Sequence, residues 1–362
     1  ESKAVFPDEE NEGQWLVSDG IETISVPDSL QGAIVARIDR LTEEARLALQ
    51  MASVIGRRFQ TEVLKSMTEA DSELGMLLAQ LERGDMVKPE TLSGDPSYFF
   101  PDALVQEVAY DNLLLRRRQE FHRRVGETLE NLLEGTGQIE SECELLAYHF
   151  HLSDDEEKAA QYLEMAGKKA RGEYALGTAL AHYQKLLALR KHQKDLPGQA
   201  SVLYTLGSMA YEMGSYSQGE SWLEESVRLL RELNDTQNEA WSVMYLGMIA
   251  LKQGDYPTSR AHHTHALELS REREDEFQEG IHITNLARVS LRLGQYAEAL
   301  EQFSRSLEMK IRANDAKGQG FSRFFIGLTN LNLGDAQAAQ EAINQRSEEH
   351  TSELQSQFRI SY

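Results

Sequence analysis

The sequence predicts a mainly α-helical protein, in which a helical module with a small β wing precedes an α-solenoid of 40-residue helix pairs. Three observations predict it. Only 7 prolines and 8% aromatics accompany long stretches of Leu, Ala, Glu, Gln and Arg, most of them strong helix formers. Four glycines, Gly214, Gly254, Gly294 and Gly334, stand 40 residues apart with no insertion. Upstream, between about 30 and 135, the pattern changes to shorter helices and two extended runs.

The bulk properties narrow the function classes. A length of 362 residues fits two or three domains, and 41% apolar residues suffice for a core. Lys plus Arg is 37 against 59 for Asp plus Glu, a net charge of −22. Such a chain repels nucleic acid on average, so nucleic acid is not an expected partner unless a local basic patch binds it. No apolar run approaches the roughly 18 to 20 residues of a membrane span, and no membrane partner is expected. Cys143 is the single cysteine, which excludes an internal disulfide and fits a reducing, cytoplasmic setting.

Both ends read as interruptions. The chain starts at Glu1 without Met or a signal-peptide pattern, so a fragment is expected. Residues 1–26 are acidic and loop-rich, with one extended stretch at Trp15-Leu16-Val17, and read as the remnant of an upstream module. Residues Arg346 to Ser356 resemble, over eleven positions, the translation of a sequencing-library adapter. Residues 346–362 are therefore set apart as an artefact tail, with the native chain expected to continue beyond Gln345.

Residues 27–135 form the first ordered domain. Pro27 holds its predecessor extended, and Asp28 or Ser29 can cap the helix containing Ile34, Val35 and Ile38. Thr42 caps a second helix ending at Ile55-Gly56. A third is expected from Phe59 to Ser66 and a fourth from Leu74 to Arg83, after which Gly84-Asp85 turns the chain. Met86-Val87-Lys88 and Tyr98-Phe99-Phe100 read as two strands joined at Gly94-Asp95-Pro96. Helices followed by a two-strand wing suggest a winged-helix module. Ala103–Leu115 and Arg118–Leu133 then bridge to the repeats.

Residues 136–345 carry the repeats: a degenerate unit at 160–199, then 200–239, 240–279, 280–319 and 320–345. Leu206-Gly207, Leu246-Gly247, Leu286-Ala287 and Ile326-Gly327 mark the first helix of each. Their small residues are expected to let helix backbones approach closely, and Tyr216, Tyr256 and Tyr296 to plug the gap between paired helices. Gln337 replaces that tyrosine in the fourth unit, and Tyr174 replaces the turn glycine in the degenerate one. Leu-Gly, Gly-x-Tyr and the pair Ala299 with Phe303 resemble the tetratricopeptide repeat in its longer-spaced variety.

That resemblance implies a superhelix whose first helices line a concave groove for a protein or peptide ligand. The positions it implies are Tyr204, Ser208 and Tyr211, then Trp241, Met244 and Met248, then Thr284, Arg288 and Arg292, and finally Phe324 and Leu328. Aromatic, Met and Arg side chains suit protein interfaces. Met244 and Phe324 serve equally well as core. Arg288 and Arg292, one turn apart, are poor core residues and the better groove candidates.

A wider resemblance runs over about 20–345. Val26-Pro27-Asp28-Ser29-Leu30-Gln31-Gly32, Ala36-Arg37-Ile38-Asp39-Arg40-Leu41 and Ala52-Ser53-Val54-Ile55-Gly56-Arg57-Arg58-Phe59 are similar to STAND-type signalling ATPases. Ala103 to Tyr110 and Leu146-Ala147-Tyr148-His149-Phe150 belong to the same pattern. In that family an AAA-like ATPase precedes a winged helix and tetratricopeptide repeats, often with a cyclase, kinase or DNA-binding domain elsewhere. The resemblance implies ATP or ADP in an upstream ATPase domain, which would be a partner of this fragment. No G-x-x-x-x-G-K-[ST] loop occurs in this sequence, so no cofactor is assigned to it. Where the family carries a basic residue and His before Ala-Leu, this chain has Pro101-Asp102. Phosphate sensing through Asp102 is therefore not expected.

No catalytic residue is assigned. His262, His263 and His265 lack the further ligands of a zinc site and read, like His149 and His151, as a solvated or partly packed helix face. Asp154-Asp155-Glu156-Glu157 lacks a calcium-loop alternation and reads as N-terminal charge for the helix that follows. Arg116, Arg117, Arg118, Arg123 and Arg124 form a basic island. It is either a nucleic-acid patch or, the preferred reading, is neutralised by Glu107, Glu120 and Glu127 or covers a domain interface.

Overall fold

The computed structural model describes residues 5–7, 15–17, 28–68, 73–90 and 96–344. Two compact units divide the chain, Glu1–Tyr162 and Leu163–Tyr362. The adapter-like tail and the Gly94-Asp95 part of the wing turn lie outside the described residues.

The first unit is helical with two small antiparallel sheets. β1 (Val5–Pro7) pairs with β2 (Trp15–Val17), Val5 opposite Val17. Helices α1 (Asp28–Ile38), α2 (Glu43–Ile55), α3 (Thr61–Met67), α4 (Leu74–Arg83) and α5 (Ala103–Asp111) surround one core. Leu49, Leu64, Leu81 and Phe100 are fully buried in it. Thr42 caps α2 by accepting from the Ala45 amide. Asp102 caps α5 through the Leu104 amide at 2.9 Å, which gives that carboxylate a structural job.

The wing has three strands, not two. β3 (Arg58–Gln60), β4 (Lys88–Glu90) and β5 (Ser97–Phe99) run antiparallel in the order β3-β5-β4. The expected third helix thus begins at Thr61, because Phe59 is spent in β3, stacked on Tyr98 and tilted against Phe100. Three residues are too few to show a period of two in sequence. Pro89 sits in an edge strand, where a missing donor is tolerated. The unit continues through α6 (Leu115–Thr136) and α7 (Cys143–His151) into α8 (Glu156–Gly172). Asp155 bonds the Lys158 amide, as its place before α8 anticipates.

The second unit stacks α9 (Leu176–His192), α10 (Leu196–Met213), α11 (Tyr216–Glu232), α12 (Thr236–Gln253), α13 (Tyr256–Glu272), α14 (Glu276–Arg292), α15 (Tyr296–Arg312) and α16 (Ala316–Leu333), followed by helical residues 336–344. The turn glycines adopt the left-handed conformation, with φ of 76°, 84°, 76° and 86°, where a Cβ is costly. Tyr174 occupies the same place at φ 60° and is 88% exposed. Tyr174→Gly is expected to stabilise the protein by about 1 kcal/mol, read as a higher urea midpoint with an unchanged slope.

A second 40-residue series closes the other corner of each pair. Lys194, Asn234, Glu274 and Asn314 have positive φ, and the next residues, Asp195, Asp235, Asp275 and Asp315, cap α10, α12, α14 and α16. Asp235→Ala is expected to cost about 1 kcal/mol, measurable as faster amide exchange over 236–240.

The small residues 207, 247, 287 and 327 each receive a side chain from the second helix of their own pair, and at Gly327 the Ala339 carbonyl also comes within 3.3 Å of where a Cβ would lie, the expected close backbone approach. A Cβ on Gly207 would meet Leu223, one on Gly247 would meet His263, and one on Gly327 would meet Ile343. Phe303 packs with Ala287 in the third pair.

Candidate partner-binding groove

The first helices α12, α14 and α16 open a cleft of about 620 Å³. Arg288 and Arg292 rise from α14, Lys252 from α12, and Phe325 and Leu328 from α16, with Tyr256 and Tyr296 at the turns. Many of these positions are one period apart: 252, 292 and 332, 288 and 328, 256 and 296. The stacking of units with a common 40-residue period therefore builds the cleft.

Arg288 is its central group. It donates to Asn285 Oδ1 at 3.0 Å and has the Tyr211 side chain as a neighbour. Its guanidinium stands 6.0 Å from the Phe321 ring and 5.9 Å from Phe325. Burial lowers its pKa, opposed by Tyr211 and reinforced by Arg292. Arg292 is exposed.

The remaining expected positions divide. Tyr204 and Tyr211 are half-buried and both pack edge-on against Tyr245, at 5.6 and 5.8 Å. Trp241 is half-buried beside His282, Met248 is half-buried, and Phe324 is exposed and packs on Phe325. Met244, Ser208 and Thr284 are buried, with 6% of Met244 exposed and less of the other two; Met suits core and interface alike, so its type could not separate them. Lys252 and Phe325 were missed in sequence, although the period that links 252 to 292 was in view.

The basic island separates into two parts. Arg118 lies over the Tyr110 ring at 4.2 Å and faces Asp111. Arg123 pairs with Glu127 and Asp154, and Arg124 with Glu120. Arg116 and Arg117 are exposed without a carboxylate partner among the described residues. Neutralisation thus accounts for three of the five arginines, partly through acids other than those expected.

Two histidines depart from the solvated-face reading. His149 is buried and its Nδ1 lies 3.1 Å from Nδ1 of His122, whose Nε2 meets the Tyr110 hydroxyl at 2.9 Å. His263 is fully buried against Gly247. Glycine opposite a ring supplies the space, a pairing that charge pattern alone does not reveal. His265 lies 3.1 Å from Glu239.

A tetratricopeptide-repeat family model matches residues 236–312, the span of α12 to α15, and the other stacked pairs of the second unit are tetratricopeptide-like in fold. No curated protein matches the chain. Among solved structures, BtubC (BKLC) from P. vanneervenii is similar at a TM-score of 0.50 and 16% identity, over 62% of this chain and 92% of that one. That likeness is one of fold. A STAND signal-transduction ATPase with a tetratricopeptide-repeat sensor, from Pyrococcus horikoshii, aligns over 90% of this chain and 60% of its own at 15% identity and a TM-score of 0.47. No helix of the described residues is long and apolar enough to cross a membrane.

Proposed function

We propose that this chain is a non-catalytic regulatory and protein-interaction region of a nucleotide-switched signalling ATPase. A partner protein or peptide binds the repeat groove, and the module of residues 27–135 couples that binding to an ATPase domain upstream. The observation that carries the binding half is the accessible cleft on the first helices, where cationic and aromatic side chains of three successive repeats converge. Such mixtures suit protein recognition. The motif resemblance between about 20 and 345 supports the ATPase half. Coupling requires two states of the nucleotide domain with different partner affinities.

Sequencing the native locus upstream of Glu1 tests the ATPase half. A phosphate-loop coding sequence is expected there; a start codon at that point without one overturns it. With the native module joined, partner affinity is expected to differ at least tenfold between the ADP and ATP forms. Equal affinities overturn the coupling. Duplex DNA binding by residues 30–124 is a weaker reading, because Arg118, Arg123 and Arg124 already face carboxylates.

A further inference from the structure

We propose that Lys310, near the end of α15, is a nucleophilic amine that forms an imine with small apolar aldehydes entering the cavity beside it. Its place in the repeat is the first ground. One and two periods earlier the same position holds Ser270 and Leu230, both buried, so the fold asks for no charge there. Three periods earlier it holds Arg190, which pairs with the cap aspartate Asp195 at 3.1 Å. A glycine makes room for the long stem in both units. A Cβ on Gly198 would lie 2.9 Å from Arg190 Cδ, and one on Gly318 would lie 2.9 Å from Lys310 Cδ. The two head groups then part company. Lys310 forms no ion pair among the described residues. Its Nζ donates instead to the buried hydroxyls of Thr284, at 2.8 Å, and Ser322, at 3.0 Å.

Lys310 is only 5% exposed, and an ammonium with none but neutral acceptors is costly there. Burial draws its pKa down to about 8, opposed by the Asp315 carboxylate. A desolvated lysine is an activated amine, because a useful share of it is neutral near pH 7.5. The cavity supplies the reaction partner's place. It measures about 360 Å³, at the small end of ligand pockets. Lys310 and Thr284 line it, Phe277, Ile281 and Phe321 form apolar walls, and Asp315 and Lys317 are its other charged groups. Such walls favour an aromatic or aliphatic aldehyde over a polar one. The Nζ lone pair attacks the carbonyl carbon and a C–N bond forms. The carbonyl oxygen then leaves as water with the two amine hydrogens, which completes the C=N bond. Nothing is oxidised or reduced, and no co-reactant is consumed.

The test treats the full chain with benzaldehyde and cyanoborohydride at pH 7.5, which traps the imine as a secondary amine, and maps the adducts by peptide mass spectrometry. Lys310 is expected to be labelled at least tenfold faster than Lys317, an exposed lysine of the same cavity. Labelling of Lys310 at an equal or lower rate makes it a buried structural donor and overturns the inference. The ratio of the two rates is expected to fall as the pH rises from 7 to 10, where exposed lysines begin to lose their protons. A constant ratio overturns the activated amine. With glyceraldehyde, a polar aldehyde, the ratio at pH 7.5 is expected to drop severalfold; an unchanged ratio overturns the apolar cavity as the place of binding.

Discussion

Acidification from pH 6.5 to 5 is expected to remove several kcal/mol from each unit of this protein. His122 and His149 in the first unit, and His263 and His282 in the second, are fully or almost fully buried. Burial, the leading cause in each case, lowers their pKa values to about 4, 3, 3 and 4. Neighbouring cations add to this: Arg118 at His122, and Arg288 at His263. In the unfolded chain the same groups titrate near 6.5. Between those limits the unfolded state binds more protons, so stability is fully present above about pH 6.5 and is lost as pH falls toward the folded values. Over 1.5 pH units each histidine contributes about 2 kcal/mol, a large share of a typical 5–15 kcal/mol. The check is the urea midpoint followed from pH 7.5 to 5. His263→Leu, which copies Leu223 at the equivalent place, is expected to flatten the profile of the second unit. It should also raise stability at pH 7.5, since neither ring nitrogen of His263 has a hydrogen-bond partner among the described residues. An unchanged slope in that variant would remove His263 from the account.

How much of this was legible depends on the length of each signal. The solenoid announced itself through glycines whose φ values later proved left-handed, because a chemical requirement repeated at fixed spacing survives divergence of everything between. The aspartate caps repeat just as regularly and could have been read by aligning the units. Strand β3 could not: three residues flanked by helix carry no period. His263 looked polar when read along its own helix, but its equivalents one period away are Leu223 and Phe303, both with no exposed surface. Comparison across units therefore identifies a core position that comparison along the helix hides. In the groove, Arg288 and Arg292 stand out as candidates because arginine is a poor core residue, whereas Met244 fits either environment. The neutral neighbours of Arg288 depend on tertiary placement, since Tyr211 lies 77 positions away in sequence.

Gly207→Val is expected to be among the most damaging substitutions in the repeats, at about 3 kcal/mol, the upper part of the usual range for overpacking. A Cβ there would lie 2.7 Å from Leu223 Cδ2 and closer still to Cγ. Leu223 cannot swing aside, because it has no exposed surface and is packed with Val227, Val243, Leu246, Ile249 and Ala266. The clash is thus transmitted from one helix pair into the next. Ala287, the equivalent residue two units on, shows that a Cβ is compatible with the fold opposite Phe303, whereas a Cβ on Gly247 would lie 2.7 Å from the His263 ring, so compatibility depends on how each facing side chain is seated. The cost at Gly207 should therefore reside in its pairing with Leu223 rather than in the backbone of α10, whose φ there is helical. Leu223→Ala alone is expected to cost about 2–5 kcal/mol through the cavity it leaves. Combined with Gly207→Val, the new methyl groups enter that cavity, so the double variant should be no less stable than Leu223→Ala alone. Urea midpoints of the four proteins in this cycle measure the coupling directly. Additive losses would mean that Gly207 is required for some other contact, and the side-chain seat proposed for positions 207, 247, 287 and 327 would not explain why small residues recur there.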